Sequence, residues 1–260
     1  MIPLSSKPVI LEKKGNKVVF EIDSLYPGYG VTVGNSLRRV LFSSLGGAAI
    51  TQVKIKGVAH EFSTIPGVLE DAVTLLLNLK LLRFKIFGEE PQKATLKVKG
   101  EKEVTGEDFE LPSQLQLINK DAKVATLTQK AAELELEILV EQGTGYVRAE
   151  DMKKGKQDIG MMNLDAIFTP IKNVSFKSEH MRVGERTDFD KLTLEVETDG
   201  SISPEEALFE AASILRSQFD IVAEGIRPEV KPVEVLKEKP AKKAAVKKDP
   251  AKKKAAKKAK

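Results

Sequence analysis

The sequence predicts an α+β fold, and three observations carry that expectation. Stretches of alternating polarity recur along most of the chain, and only three segments have helical periodicity. The alternating stretches are also not separated by helices in regular turn, as a doubly wound parallel sheet requires. KVVFEI (17–22) opens the series, with Val18, Phe20 and Ile22 on one face. The turn YPGYG follows, and a first helix is expected over about 34–46. TQVKIKG (51–57) and ATLKVKG (94–100) read as strands with a basic outer face. Between them, STIPGVLEDAVTLLLNLKLL predicts a helix over about 67–82. Its polar residues Glu70, Asp71, Thr74 and Asn78 share one sector, so burial on more than one side is expected.

AELELEILV (132–140) alternates with Leu134, Leu136 and Ile138 inward, and EQGTGY after it reads as a hairpin-like link. KLTLEVETDG (191–200) repeats the pattern with Leu192, Leu194 and Val196. The last helix has the clearest start: in SPEEALFEAASILRSQFDIVAEG, Ser203 serves as N-cap, Pro204 as N1 and Glu206 as N3, a capping box, with Gly225 as its end. Leu208, Ala212, Leu215, Phe219 and Val222 line one stripe, and Ile214 and Ile221 form a second. A surface helix needs one stripe, so the second must meet another element, either in a second copy of the chain or within its own domain.

Composition excludes several chemistries. The apolar fraction of 41% permits a folded domain, and with no cysteine there are no disulfides, cysteine metal sites or thiol nucleophiles. No apolar run reaches the ~18 residues of a membrane span, and MIPLSSKPVILEKKG lacks secretory order. An intracellular soluble protein is expected. The net charge of +4 hides an asymmetry: residues 227–260 hold 14 Lys and Arg against 4 Asp and Glu, a local +10, which leaves −6 on residues 1–226. This Lys/Ala-rich tail, free of aromatics, predicts disorder. Nonspecific contact with DNA phosphates is expected of Lys242, Lys243, Lys247, Lys248, Lys252, Lys253, Lys254, Lys257, Lys258 and Lys260; the alternative is a solubilising tail.

The glycines at 28, 30 and 34 miss the dinucleotide fingerprint, because Val33 stands at its third glycine position. They read as residues for a tight turn and close helix approach. His60 and His180 show no metal-ligand spacing and read as surface or hydrogen-bonding residues. Asp188 and Asp190 look like a paired carboxylate, but Arg186 and Lys191 beside them suggest ion pairing. No nucleophile–base pair stands out, and no catalytic role is expected.

TVGNSLRRVLFSS (32–44) places two arginines on the first helix. With Leu37 at 0° on a helical wheel, Val40 and Leu41 share its face, while Arg38 falls at about 100° beside an exposed Phe42 and Arg39 at about 200°, opposite the core. Arginine beside an aromatic residue suits a protein interface; ordinary solvation is the other reading.

Four long stretches decide between these readings: YGVTVGNSLRRVLFSS (29–44), GVAHEFSTIPGVLEDAVTLLLNLK (57–80), GTGYVRAE (143–150) and RVGERTDFDKLTLEVETDGSISPEEAL (182–208). Across about 15–228 the chain resembles the N-terminal assembly domain of the bacterial DNA-directed RNA polymerase alpha-subunit family. The resemblance implies a two-lobed α+β architecture, with a discontinuous dimerisation lobe (1–47 and 174–228), a mostly β lobe inserted between (48–173) and the tail beyond (229–260). It implies a non-catalytic subunit that dimerises and carries the two large subunits, beta and beta-prime. Omega, sigma and DNA belong to the assembled enzyme, in a cytoplasmic, nucleoid-associated setting with no membrane. No cofactor is implied in this chain, the magnesium of polymerase chemistry being held by the large subunits.

By the same resemblance, Arg38 and Arg39 lie on the surface receiving beta, Arg39 foremost. His60, Glu61, Phe62, Ser63 and Thr64, and the following helix through Lys80, make further large-subunit contacts. Leu37, Leu41, Phe42, Leu208, Ile214, Leu215, Phe219 and Ile221 belong to the dimer interface. The family continues into a small C-terminal DNA-binding domain, in whose place this sequence has its basic tail.

Overall fold

The computed structural model describes residues 3–152 and 160–226. In chain order the elements are β1 (Val9–Lys14), β2 (Lys17–Leu25), α1 (Tyr29–Ser43), β3 (Gly46–Ile55), α2 (Ala72–Lys80), β4 (Phe84–Ile86), β5 (Gln92–Lys99) and β6 (Lys102–Thr105). After a short 3-10 turn come β7 (Phe109–Glu110), β8 (Leu115–Leu117), β9 (Lys123–Leu127), β10 (Glu133–Thr144) and β11 (Tyr146–Val147). The chain closes with β12 (Met161–Asn163), β13 (Ala166–Ile167), β14 (Ile171–Val183), β15 (Arg186–Thr198) and α3 (Pro204–Gly225).

Two principal sheets divide these strands. The first is antiparallel in the order β1-β2-β15-β14, so the two ends of the chain share one sheet. Its alternating residues Val18, Phe20, Leu194 and Val196 are buried beneath α1 and α3. The second sheet, β7-β5-β10-β3-β4-β8 with β12 on β3, is built wholly from the middle of the chain. α2 packs on it, and Leu75, Leu79, Leu96, Leu136 and Ile138 are among the residues of a separate, larger core. Complete burial of each such aliphatic side chain contributes about 1.5–3 kcal/mol, so each sheet has its own source of stability. The two parts meet where Arg83 Nε lies 3.9 Å from a largely buried Asp199 Oδ2.

Several boundaries differ from the sequence expectation. α1 starts at Tyr29, not near 34, because Gly30 and Gly34 lie inside the helix against the sheet. A Cβ at Gly30 would sit 2.2 Å from Ser178 Oγ, and one at Gly34 would sit 2.6 Å from Phe176 Cδ2. Gly28 makes the turn at φ 83°. The glycines thus serve turn and close approach, but from within the helix.

α2 starts at Ala72, where the Asp71 carboxylate caps the helix by accepting the Thr74 N–H at 2.8 Å. The preceding Val68 bridges Leu127 and the Leu69 N–H donates to the Thr126 carbonyl, which ties that segment to β9 instead of helix. Burial of α2 on more than one side does not occur: Ala72, Leu75, Leu76 and Leu79 are buried, while Leu77 and, just beyond the helix, Leu81 are exposed. EQGTGY is not a hairpin link. β10 continues to Thr144 in register with Gly46 of β3, and the chain turns at Gly145. α3 keeps its expected start, with Ser203 and Glu206 forming the capping box.

Candidate subunit-docking surfaces

α1 is a helix without a side-chain cap from its own segment. The first turn of any helix leaves backbone N–H groups without partners. Here Asp190 of β15, only 3% exposed, supplies them: its Oδ2 accepts the Gly28 N–H at 2.8 Å and the Gly30 N–H at 3.0 Å. Its other oxygen lies 3.2 Å from Nδ1 of the exposed His180. A carboxylate at the positive end of the helix dipole is favourably placed. Asp190 therefore fixes the start of α1 and the rotation of everything on it. Asp188 does pair with Arg186, through bonds of 3.0 and 2.7 Å, but Lys191 pairs with Glu21 across the sheet and not with Asp190.

With α1 so anchored, Leu37, Leu41 and Leu45 point into the first core and Arg38 and Arg39 face outward. Both arginines are exposed, and among the described residues the arginine ion pairs are those of Arg83, Arg186 and Arg216. Phe42 is half-buried against its own core, so the exposed phenylalanine read from the wheel is corrected. The wheel assumes one packed face, whereas α1 contacts β14 and β15 of the sheet and also α3.

Between α1 and α3 runs an apolar groove of about 450 Å³, with Ile22, Tyr29, Val33, Leu208, Leu215 and Phe219 in its walls. Leu37 also reaches it, whereas Leu41 is 0% exposed and has no surface to offer a second molecule. Leu41 supports that surface from beneath. Ile214 and Leu215 are half-buried against the core. Beyond them α3 leaves the sheet: Phe219 is 65% exposed and Ile221 63%, and Val222 and Ile226 are exposed as well. Of the two stripes on α3, only Leu208 is buried, Ile214 and Leu215 are half-buried, and Ala212, Phe219, Ile221 and Val222 are exposed.

The segment His60–Thr64 forms a compact turn beside the start of α2. Ser63 Oγ and His60 Nδ1 are hydrogen-bonded at 3.1 Å, and the Ala72 N–H donates to the Ser63 carbonyl. His60, Glu61, Phe62 and Thr64 are exposed and Ser63 is half-buried. Phe62, 80% exposed, stands over a cleft of about 260 Å³ bounded by Glu61, Val73, Leu77, Lys80, Leu164 and Asp165. Lys80 donates to Asp165 Oδ2 at 2.9 Å. The Ala149 N–H and the Lys80 ammonium hold the Asp165 carboxyl below its ordinary value.

The sequence reading missed Asp165 and the 76%-exposed Phe209 of α3, and it took Asp190 for an ion-paired neighbour of Asp188 instead of the cap of α1. Aspartates carry no periodic signal, and their partners lie 160 residues and 85 residues away. The lysines from Lys242 to Lys260 lie outside the described residues. Among the described residues, no cluster of three or more His, Cys, Asp or Glu is placed to hold a metal ion, and no helix is long and apolar enough to cross a membrane.

Residues 53–169 match the family described as RNA polymerase Rpb3/RpoA insert domain. Over 235 residues the chain is 46% identical to a DNA-directed RNA polymerase subunit alpha from Desulforudis audaxviator, covering 90% of this chain and 74% of that protein. It is 44% identical over 231 residues to the subunit of the same name from Symbiobacterium thermophilum, with 89% and 73% covered. Against that from Oceanobacillus iheyensis it is 45% identical over 220 residues, with 85% and 69% covered.

Proposed function

The chain belongs to the family of bacterial DNA-directed RNA polymerase alpha subunits and is a non-catalytic scaffold subunit of that enzyme, and we propose the surfaces by which it assembles. Residues 1–47 and 174–228 form a dimerisation lobe, and residues 48–173 an inserted lobe that meets the large subunits. The exposed end of α3, with Phe219, Ile221 and Val222, fills the α1–α3 groove of a second copy. A twofold arrangement satisfies both grooves at once. An obligate interface of this kind buries ~2,000 Å² or more. Leu37, Phe42, Leu208, Ile214 and Leu215 shape it, with Leu41 beneath.

Arg38 and Arg39 receive beta, where a planar guanidinium grips carboxylates by two parallel hydrogen bonds. His60, Glu61, Phe62, Ser63, Thr64 and Lys80 make further contacts with the large subunits, beta or beta-prime. Omega, sigma and DNA are met in the assembled cytoplasmic enzyme. The observation that carries this reading is the 46% identity over 235 residues, a match too long to omit either lobe. Co-purification of the full chain with beta and beta-prime tests it. Arg39→Ala should leave the dimer mass unchanged and lower beta retention, and Phe219→Asp should yield monomer; unchanged beta retention in the first variant would remove Arg39 from the interface.

The local +10 of residues 227–260 supports a second role for the chain, nonspecific attraction to DNA phosphates. Assembled polymerase with and without residues 229–260 should differ in DNA affinity at low salt and converge at high salt. Equal affinity at both salt concentrations excludes that role.

A further inference from the structure

One carboxylate joins α2 to two segments of the later chain. Asp165, in the turn between β12 and β13, takes the Lys80 ammonium of α2 on Oδ2 at 2.9 Å and the Ala149 N–H on Oδ1 at 3.0 Å. Lys80 occupies the last turn of α2. A lysine there is drawn back over the unpaired carbonyls at the negative end of the helix. Its four-carbon stem leaves it free to go there. Asp165 counters that pull and holds the ammonium at the 260 Å³ cleft that Lys80, Asp165 and Phe62 line together. Apolar side chains, Phe62, Val73, Leu77 and Leu164 among them, line the cleft beside the polar Glu61 and Asn163, and Phe62 and Leu77 are exposed. Exposed apolar residues beside a positioned hydrogen-bond donor offer a partner both area to bury and a group that orients it.

We propose that Asp165 is a positioning residue for large-subunit capture: it fixes the Lys80 ammonium at the cleft rim, with its remaining N–H donors directed at an acceptor oxygen of a large subunit. The inference rests on reading Lys80 as a large-subunit contact. The Ala149 bond needs only an oxygen, which asparagine also provides. The hold on Lys80 needs the charge, because the amide nitrogen of asparagine repels an ammonium. Asp165→Asn therefore separates the two functions of this side chain at constant shape.

The test is a double-mutant cycle on the full chain, read as capture of purified beta and beta-prime, with dimer mass and thermal midpoint measured on every variant. Lys80→Met should weaken capture, and Asp165→Asn should weaken it about three- to tenfold. In the Lys80→Met background, Asp165→Asn should change capture by less than about twofold. Asp165→Glu, which keeps the charge, should retain most of the capture. Unchanged capture by Lys80→Met overturns the reading of Lys80 itself, and the proposal with it. If Lys80→Met weakens capture and Asp165→Asn does not, the positioning role alone fails. Equal losses from Asp165→Asn in both backgrounds also overturn it, since Asp165 would then act without Lys80. A fall in thermal midpoint that tracks the loss of capture identifies a structural role instead.

Discussion

Replacing Asp190 by alanine should disable α1 without touching any residue on its exposed face. The substitution removes the acceptor of the Gly28 and Gly30 N–H groups, at 2.8 and 3.0 Å, from a site 3% exposed. Hydrogen bonds to a charged group contribute about 1.5–3 kcal/mol, and losing an N-cap typically costs about 1 kcal/mol. The two donors share one oxygen and the helix end can take up some water, so a loss of about 2–4 kcal/mol is expected, below the full sum. For a chain of this size that corresponds to a fall of roughly 5–15 °C in melting temperature. Asp190→Asn keeps an acceptor oxygen but loses the charge at the positive helix end, and should cost about half as much. His180→Ala, which removes an exposed partner of the same carboxylate, should shift the melt by less than either. Thermal melts of the three variants, with hydrogen exchange at Gly28 and Gly30, check this order. An Asp190→Ala protein that melts within a degree of the parent, with both amides still protected, would refute the cap.

Three further outcomes follow from named contacts. Gly34→Ala improves helix propensity but sets a methyl 2.6 Å from Phe176 Cδ2 and 2.9 Å from Leu192 Cδ1, so calorimetry should show a net loss of about 1–3 kcal/mol; a more stable variant would mean that the helix can lift off the sheet freely. Ser203→Ala removes half of the capping box of α3 and should cost about 1 kcal/mol by chemical denaturation, with exchange quickened in the first turn of that helix. The Asp165 carboxyl is held below its ordinary value of 3.8 by Ala149 and Lys80, so its stabilising contribution is complete above that pH and is lost as pH falls through the lower folded value. Acid titration of the parent and of Asp165→Asn should diverge above that window and converge below it, and a constant difference would contradict the sign.

Much of the architecture is legible in local pattern. Alternation places Val18, Phe20, Leu192, Leu194 and Val196 on buried faces, because a strand repeats every two residues whatever lies across from it. The α3 start at Ser203 is legible for a similar reason: a capping box satisfies its donors within four residues. The starts of α1 and α2 are harder. Gly30 looks like a turn residue ahead of the helix until Ser178 is known to lie against it, and the segment before Asp71 looks helical until β9 takes its hydrogen bonds.

The sequence by itself determined the α+β class, the outward direction of Arg39 and the family likeness, all of which rest on order and spacing along the chain. Tertiary structure alone decided that Asp190 caps α1, that Asp165 holds Lys80, and that the second half of α3 leaves its core with Phe219 and Ile221 uncovered. These depend on which distant segments come within a hydrogen bond or a van der Waals contact of one another, and the positions of one chain do not specify that distance until the two sheets have formed.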